Sequence, residues 1–295
     1  MIWFQLGKDV TGEVKLEVLD PRGNVVAKAS GKTEASGRGQ PTVPDSQDDE
    51  GTNNPNQRKL EPKPGLNRFV WDLTHDGATP IAGAPVDMGS AAARIPVAPG
   101  TYTVRLLVSD QTFTQPIDVK ADPRWLAHAK TPNPSNDLAQ LEALGLRIRD
   151  DITKLSDTVA RLRAVKKQIA LRKELLKDRS DTKELLKQSE ALDKQLNDIE
   201  GKLHNPKAKI SYDIFAQKGG AMLYSQFAWL LANVIEADGA PTQSQLELAE
   251  ELEKQLTSLV DQFETTAKVE VGKLNEAARK LGVPELYVAP PGKKT

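Results

Sequence analysis

Hydrophobic and polar positions alternate along roughly the first 130 residues and recur at helical intervals after them. Glu13-Val14-Lys15-Leu16-Glu17-Val18-Leu19 puts Val14, Leu16 and Val18 on one face of a strand. Asp20-Pro21-Arg22-Gly23-Asn24 carries the residues of a tight turn, and Val25-Val26-Ala27 returns as the second strand of a hairpin. Residues 66–73 read as another strand, with Leu66, Arg68, Val70 and Asp72 on one face and Asn67, Phe69, Trp71 and Leu73 on the other. Residues 101–108 and 112–119 form a second hairpin across Ser109-Asp110-Gln111, and residues 1–6 supply one more strand. Short alternating strands joined by turns predict a β-sandwich. A chain that opens inside a strand also reads as a piece of something longer.

After Pro132 and Pro134 the period changes. Ser135 or Asn136 can cap a helix running to about Lys177, in which Leu141, Ile148, Leu155, Leu162 and Ile169 recur every seven residues, with Ile152 and Val159 in the same seam. Residues 178–181 turn the chain into a shorter helix marked by Leu185, Leu192, Leu196, Ile199 and Leu203. Pro206 ends it, and an irregular crossing follows through Ile210, Tyr212, Ile214 and Phe215. Residues 219–235 carry no charge, but Gln226 and Asn233 and the short length argue for a buried bundle helix and against a membrane span. Residues 238–242 restart the chain, with Thr242 as N-cap or Pro241 at its usual place near a helix start, and Leu252, Leu256, Leu259, Phe263, Ala267, Val271, Leu274, Ala278 and Leu281 give a last helix that Pro284 stops. Four helices with mostly short links predict an antiparallel four-helix bundle. The expected division is a β domain over residues 1–124 and a helical domain over residues 125–295.

Composition adds constraints on loops and partners. Residues 30–64 are nearly devoid of apolar side chains and rich in Gly, Pro, Asn and Asp, so an extended or mobile loop is expected there. Residues 74–98 form a second, less polar insertion with Ile81, Val86, Met88, Ile95 and Val97 available for packing. Lys and Arg number 40 against 41 Asp and Glu, and both parts of the chain are balanced, so no nucleic-acid footprint is expected. Cysteine is absent, which removes disulfides, thiolate nucleophiles and Cys-ligated metals.

Candidate chemistry is sparse. His75, His128 and His204 fall in separate loops or segment ends and read as solvated. The nucleophile-elbow, P-loop and dinucleotide fingerprints do not occur. Asp45, Asp48, Asp49 and Glu50 form an oxygen-rich cluster of the kind hard cations take, but the register does not match a twelve-residue calcium loop, and a solvated acidic loop is the favoured reading. Carboxylate pairs such as Asp150-Asp151 and Glu250-Glu251 lie on charged helix faces. No catalytic residue and no cofactor is therefore expected. Trp71 and Tyr102 are expected to serve the β core, and Trp125, after Asp122-Pro123-Arg124, the joint between the domains. Trp3 and Phe4, if exposed, would mark where a neighbouring domain belongs.

Gly65-Leu66-Asn67-Arg68-Phe69-Val70-Trp71-Asp72-Leu73, Val97-Ala98-Pro99-Gly100-Thr101-Tyr102-Thr103-Val104-Arg105-Leu106, Gln111-Thr112-Phe113-Thr114-Gln115-Pro116 and Ala121-Asp122-Pro123-Arg124 follow one another in that order. Together they resemble the C-terminal region of bacterial sortilin-like BNR-repeat proteins, often named glycosyl hydrolases. The first block is also similar to the Ig-like module of flagellar hook-capping proteins. The resemblance implies an Ig-like sandwich that follows a β-propeller and precedes a helical tail, in an extracytoplasmic protein. Residues 138–149 and 237–242 are similar to that tail. The propeller repeat Ser-x-Asp-x-Gly-x-x-Trp does not occur, and the family's aromatic-Gly-Gly stretch is replaced by Val86-Asp87-Met88-Gly89-Ser90. The expectation is a non-catalytic accessory module whose partner is the propeller of the parent protein or another protein. A scaffold or oligomerisation module, and part of a hydrolase acting on glycans or peptides, are the alternatives; the oligomeric state is open.

Overall fold

A computed structural model describes residues 1–33, 58–128, 134–216, 219–237 and 239–292; the side chains of Trp125 and His128 lie outside the described set. The fold mixes β and α structure, with two sheets and a set of helices. Contacts divide the chain into two compact units, each gathered from separated segments: Met1–Gly77, Arg94–Gly145 and Ile235–Pro241 in the first, Ala78–Ala93, Leu146–Val234 and Thr242–Thr295 in the second.

The first unit holds seven strands among the described residues: β1 (Ile2–Leu6), β2 (Gly12–Leu19), β3 (Val25–Thr33), β4 (Arg58–Lys59), β5 (Gly65–Phe69), β6 (Gly100–Val108) and β7 (Gln111–Val119). β1 and β5 form an antiparallel pair, and the second sheet has the order β4-β3-β2-β6-β7 with only β3 and β4 parallel. Both expected hairpins are present. The first is set by Asp20, whose carboxylate accepts from the backbone of Arg22 and Asn24 and from the Asn24 amide. One apolar cluster collects Ile2, Leu6 and Phe69 from the small sheet and Val14, Leu16, Val18, Val104 and Val108 from the large one. Trp71 and Tyr102 join it edge to face, ring centroids 5.6 Å apart, with Trp71 Nε1 donating to Thr74 O and the Tyr102 hydroxyl to Ala98 O.

Two boundaries differ from the sequence reading. The polar stretch expected over residues 30–64 begins and ends inside strands, because β3 continues to Thr33 and Arg58 and Leu60 are buried beside it. The strand expected over residues 66–73 leaves the ladder after Phe69, and Leu73 takes a φ of 58°. Phe113 is 54% exposed, since β7 is an edge strand, a position suited to its Pro116. The first unit also takes the short helix α1 (Pro123–His128) and the first turns of α2 (Pro134–Leu176). Gly145 permits one contact there: a Cβ would lie 2.9 Å from Cγ2 of the fully buried Ile95.

The second unit is built around the remainder of α2, whose Ile148, Ile152, Leu155, Val159, Leu162 and Ile169 are all buried, as the seven-residue spacing predicts. The other helices are α3 (Lys183–Leu203), α4 (Ser211–Phe215), α5 (Leu223–Ile235), α6 (Gln243–Thr266) and α7 (Gly272–Lys280). Thr242 caps α6 through a reciprocal box with Gln245. A π-helical turn over Ala267–Val271 separates α6 from α7 and rephases the stripe, so that Phe263, Val271 and Leu274 are all buried.

Pairings fix the helix directions. Lys173 meets Glu190 and Arg163 meets Glu200, so α3 runs against α2; Arg147 meets Glu253 and Arg161 meets Glu264, so α6 runs with it. Strict alternation of four helices would set the first and last antiparallel, and these pairs correct that expectation. The physical reason is the break at Pro206: the end of α3 and the start of α5 line one groove with α6, so two short helices follow each other along the same neighbour. Within residues 78–93, Ile81 is buried and its N–H donates to the Tyr224 hydroxyl. Gly89, at φ 71°, comes so near α5 that a Cβ would sit 2.6 Å from Ala228 O.

Trp71→Ala removes the largest aromatic of the β core together with its edge-to-face partner contact. It is expected to destabilise the first unit by about 3–5 kcal/mol while leaving most helical ellipticity intact. Denaturant titration followed separately by tryptophan fluorescence and by ellipticity at 222 nm checks both parts.

Candidate functional site

A polar cluster of the first unit follows Trp71. Arg58, buried, donates to Asp72 at 3.1 Å and to the Thr74 hydroxyl at 2.9 Å, and forms a short ion pair with Asp76. Asp72 also accepts from Thr74 at 2.7 Å and from Arg94 at 2.8 Å. Burial pushes the Asp72 carboxyl up, but the Thr74 and Arg94 hydrogen bonds and the Arg58 charge together hold it below its ordinary value. His75 is buried, not solvated, and its Nε2 lies 2.5 Å from Glu142 Oε1 in the first turns of α2. Burial, with Glu142 and Asp20 adding, pushes the Tyr102 phenol far up, so it stays a neutral donor. These groups are matched to one another and consolidate the turn after β5.

The second unit has its own hub. Glu200 on α3 is buried and accepts from Arg163 at 2.7 Å and from Lys166 at 2.7 Å. His204, 2% exposed, places Nε2 3.1 Å from Glu200 Oε1 and 3.0 Å from Arg163 Nη2, while its buried Nδ1 has no hydrogen-bond partner among the described residues. The sequence reading of a solvated His204 is thus corrected: the last turn of α3 tucks it beneath Arg163. Burial pushes Glu200 up, but hydrogen bonds from His204, Lys166 and Arg163 outweigh it and hold the carboxyl well below the usual carboxylate range. A carboxylate held between two cations is a poor proton donor and serves as a joint between α2 and α3. The signal was present as Glu and His four residues apart, facing Arg163 and Lys166 one turn apart on α2.

Asp151 behaves oppositely. Burial and the nearby Glu253 charge push it up to about 6, against a smaller opposing pull from Arg147. It lies near an open groove of about 690 Å³ lined by Arg147, Glu250, Glu253 and Asp261. Among the described residues no group of three His, Asp or Glu side chains is arranged to hold a metal ion. The Asp45, Asp48, Asp49 and Glu50 cluster and the Trp125 side chain lie outside the described residues. No helix among the described residues is long and apolar enough to cross a membrane.

What the first unit does present is an apolar outer face on its small sheet. Trp3, Leu66 and Val70 are 56%, 63% and 58% exposed, beside exposed Met1. Trp3 pairs across the strands with Arg68, whose guanidinium carbon sits 6.0 Å from the indole centroid. Among the described residues β1 and β5 have no neighbour except each other, so both strands leave an edge open. The alternation read in the sequence already set Leu66, Arg68 and Val70 on one face and Phe69 and Trp71 on the other.

Two substitutions separate the electrostatic roles. Glu200→Gln leaves Arg163 and Lys166 without their counter-charge and is expected to cost about 3 kcal/mol at pH 7. Because the folded pKa lies below the ordinary 4.5, that stabilisation is complete above it and is lost as pH falls through the folded value. The gap between wild type and variant therefore begins to narrow as pH falls below about 4.5 and is still partly open at pH 3, which urea titrations from pH 7 to pH 3 measure. Asp151→Asn has the reverse sign. The folded state holds the Asp151 proton between 3.8 and about 6, so wild type loses stability as pH rises through that window. The variant is expected to be more stable by about 1 kcal/mol at pH 8 and equal to wild type near pH 3.5, by the same titrations.

Comparison of the chain with family models, curated proteins and solved structures finds no match in any of the three.

Proposed function

We propose that the chain is a non-catalytic interaction module whose first unit is an Ig-like β-sandwich and whose second is a bundle of four principal helices, with α3 and α5 sharing one side. Its partner on this reading is the β-propeller of an extracytoplasmic parent protein, as the resemblance of residues 65–73 and 97–106 to sortilin-like BNR-repeat proteins implies. The observation that carries the docking role is the outer face of β1 and β5. A Trp, a Leu and a Val stand exposed side by side with an Arg, on a sheet whose edges are unpaired among the described residues. Aromatic and Arg anchors of this kind dominate protein–protein binding energy. The carboxylates of the two polar hubs are occupied in ion pairs, which supports a structural role for them.

A second reading, self-association, is favoured by Leu171 and Leu175. They stand one helical turn apart on α2 and are both well exposed. Sedimentation equilibrium of the wild-type chain tests it, a concentration-independent monomer mass removing it.

The docking role is tested by titrating the chain with a separately produced sortilin-like propeller and measuring heat of binding. One-to-one association is expected, weakened about thirtyfold or more by Trp3→Ser combined with Leu66→Ser. Absence of association, or equal association by the double variant, overturns the proposal.

A further inference from the structure

The segment that follows α7 is held in an unusual way. Residues 283–292 take neither helix nor strand, yet their main chain is bound at regular steps by side chains from two helices. From α2, Arg172 Nη2 donates to Pro284 O at 2.6 Å, Gln168 Nε2 to Tyr287 O at 2.8 Å and Arg161 Nε to Ala289 O at 2.7 Å. Arg179 reaches Leu281 O at the exit from α7. Positions 161, 168 and 172 are spaced seven and four residues apart, one stripe of the helix, and Arg179 lies in the turn just beyond its end. The segment therefore runs antiparallel to α2.

Two of the contacts are reciprocal. Gln168 Oε1 accepts from Tyr287 N at 2.8 Å while its amide donates to Tyr287 O. On α7, Asn275 Oδ1 accepts from Leu286 N at 2.7 Å while its amide donates to Leu286 O at 2.9 Å. Each side-chain amide thus does what the edge of a β-strand does, on consecutive residues and from different helices. Only Val283 and Leu286 are buried, three residues apart; Pro284, Glu285, Tyr287 and Pro290 are exposed. A three-residue apolar interval interrupted by prolines is the pattern of a polyproline II ligand, which fills a groove without internal hydrogen bonds. Recognition of main-chain groups and of one face of such a segment is tolerant of the sequence on the other face.

Arg172 adds an independent mark of a binding site. It is nine-tenths buried, bonds one carbonyl of the segment and has an Nη1 with no hydrogen-bond partner among the described residues. A guanidinium buried without full pairing is costly unless something is held against it.

We propose that the groove between α2 and α7 is a peptide-binding site for extended, proline-containing segments with apolar residues at three-residue intervals, and that residues 283–292 occupy it as a resident, exchangeable ligand. The tether gives the resident segment a high effective concentration, so a competing peptide enters only when the segment is loosened or the competitor is itself held close. The site lies wholly in the second unit and stands independently of the docking role of β1 and β5.

The test uses the full chain. Leu286→Asp puts a charge where the buried anchor lies and is expected to free the segment while helical ellipticity is retained. A fluorescein-labelled synthetic peptide with the sequence of residues 282–292 is then titrated and its anisotropy read. Binding to L286D at least about tenfold tighter than to wild type is expected, with Gln168→Ala in the L286D background reversing most of the gain. Folded L286D that binds no better than wild type, or binding indifferent to Gln168→Ala, overturns the proposal. Should L286D not fold, hydrogen exchange on the wild-type chain decides. The amides of Leu286 and Tyr287 are expected to exchange about tenfold or more faster than that of Leu162 on α2. Exchange of all three at one common rate would make the segment part of the cooperative core and end the idea.

Discussion

The apolar stripe of α2 is the constraint on which the helical unit depends. From Ile148 to Ile169 it is buried without interruption, so the helix is committed to neighbours along its length and its remaining faces acquire fixed roles. Arg147 and Arg161 point to α6, Arg163, Lys166 and Lys173 to α3, and Gln168 and Arg172 to the segment after α7. A helix of 43 residues spans about 64 Å, more than α3 or α5 can cover alone. That length is why the descending path can break at Pro206 and still serve one continuous partner: the burial is supplied in two pieces, with a short crossover between.

Buried charge follows the same logic of commitment. Glu200 is tolerated in the interior because three donors meet it, and the cost of desolvation is offset only while all of them stay in place. Asp151 has no such set of donors, and its proton affinity rises instead. The two carboxylates depart from ordinary values in opposite directions for opposite reasons, yet neither departure is tied to an enclosed cavity with converging groups. Separated pKa values are a sign of chemistry only when a reacting atom can sit between the groups. Here the shifts measure how completely each carboxylate has been paired.

Local signals in the sequence reached the structure wherever the cause was local. The Asp20 turn, the heptad positions of α2 and the Thr242 cap each depend on a few neighbouring residues, and all three were legible. The outer face of β1 and β5 was half legible: alternation placed Leu66, Arg68 and Val70 together, but only strand pairing brings Trp3 opposite Arg68. His75 was not legible, because the carboxylate beside it, Glu142, lies 67 residues away; at His204 the spacing from Glu200 was readable but Arg163, 41 residues away, was not. The helix directions were hidden for a related reason: periodicity reports which face is buried, not which neighbour buries it. The groove after α7 was hidden more deeply still. Its partners are main-chain atoms, which every sequence carries, and its readers are Gln and Asn residues that look like ordinary polar surface.

The small sheet poses the remaining physical question. Two antiparallel strands are marginal in water by themselves. β1 and β5 persist because Ile2, Leu6 and Phe69 face the apolar cluster shared with the large sheet. Their other face points away from that cluster, and there Trp3 has a cation–π contact with Arg68, partly exposed and therefore weak. Polar residues at Trp3, Leu66 and Val70 would keep the strand pairing and remove the cost of apolar surface in water. The fold therefore does not require the apolar side chains at these positions. Among the described residues both strands also keep an edge without a partner, whereas charge or a bulge usually guards an edge that is meant to stay solvated, as Pro116 helps to guard β7. A face with bulky apolar side chains, one stacked cation and, among the described residues, unpaired edges has the composition that the proposed docking role calls for.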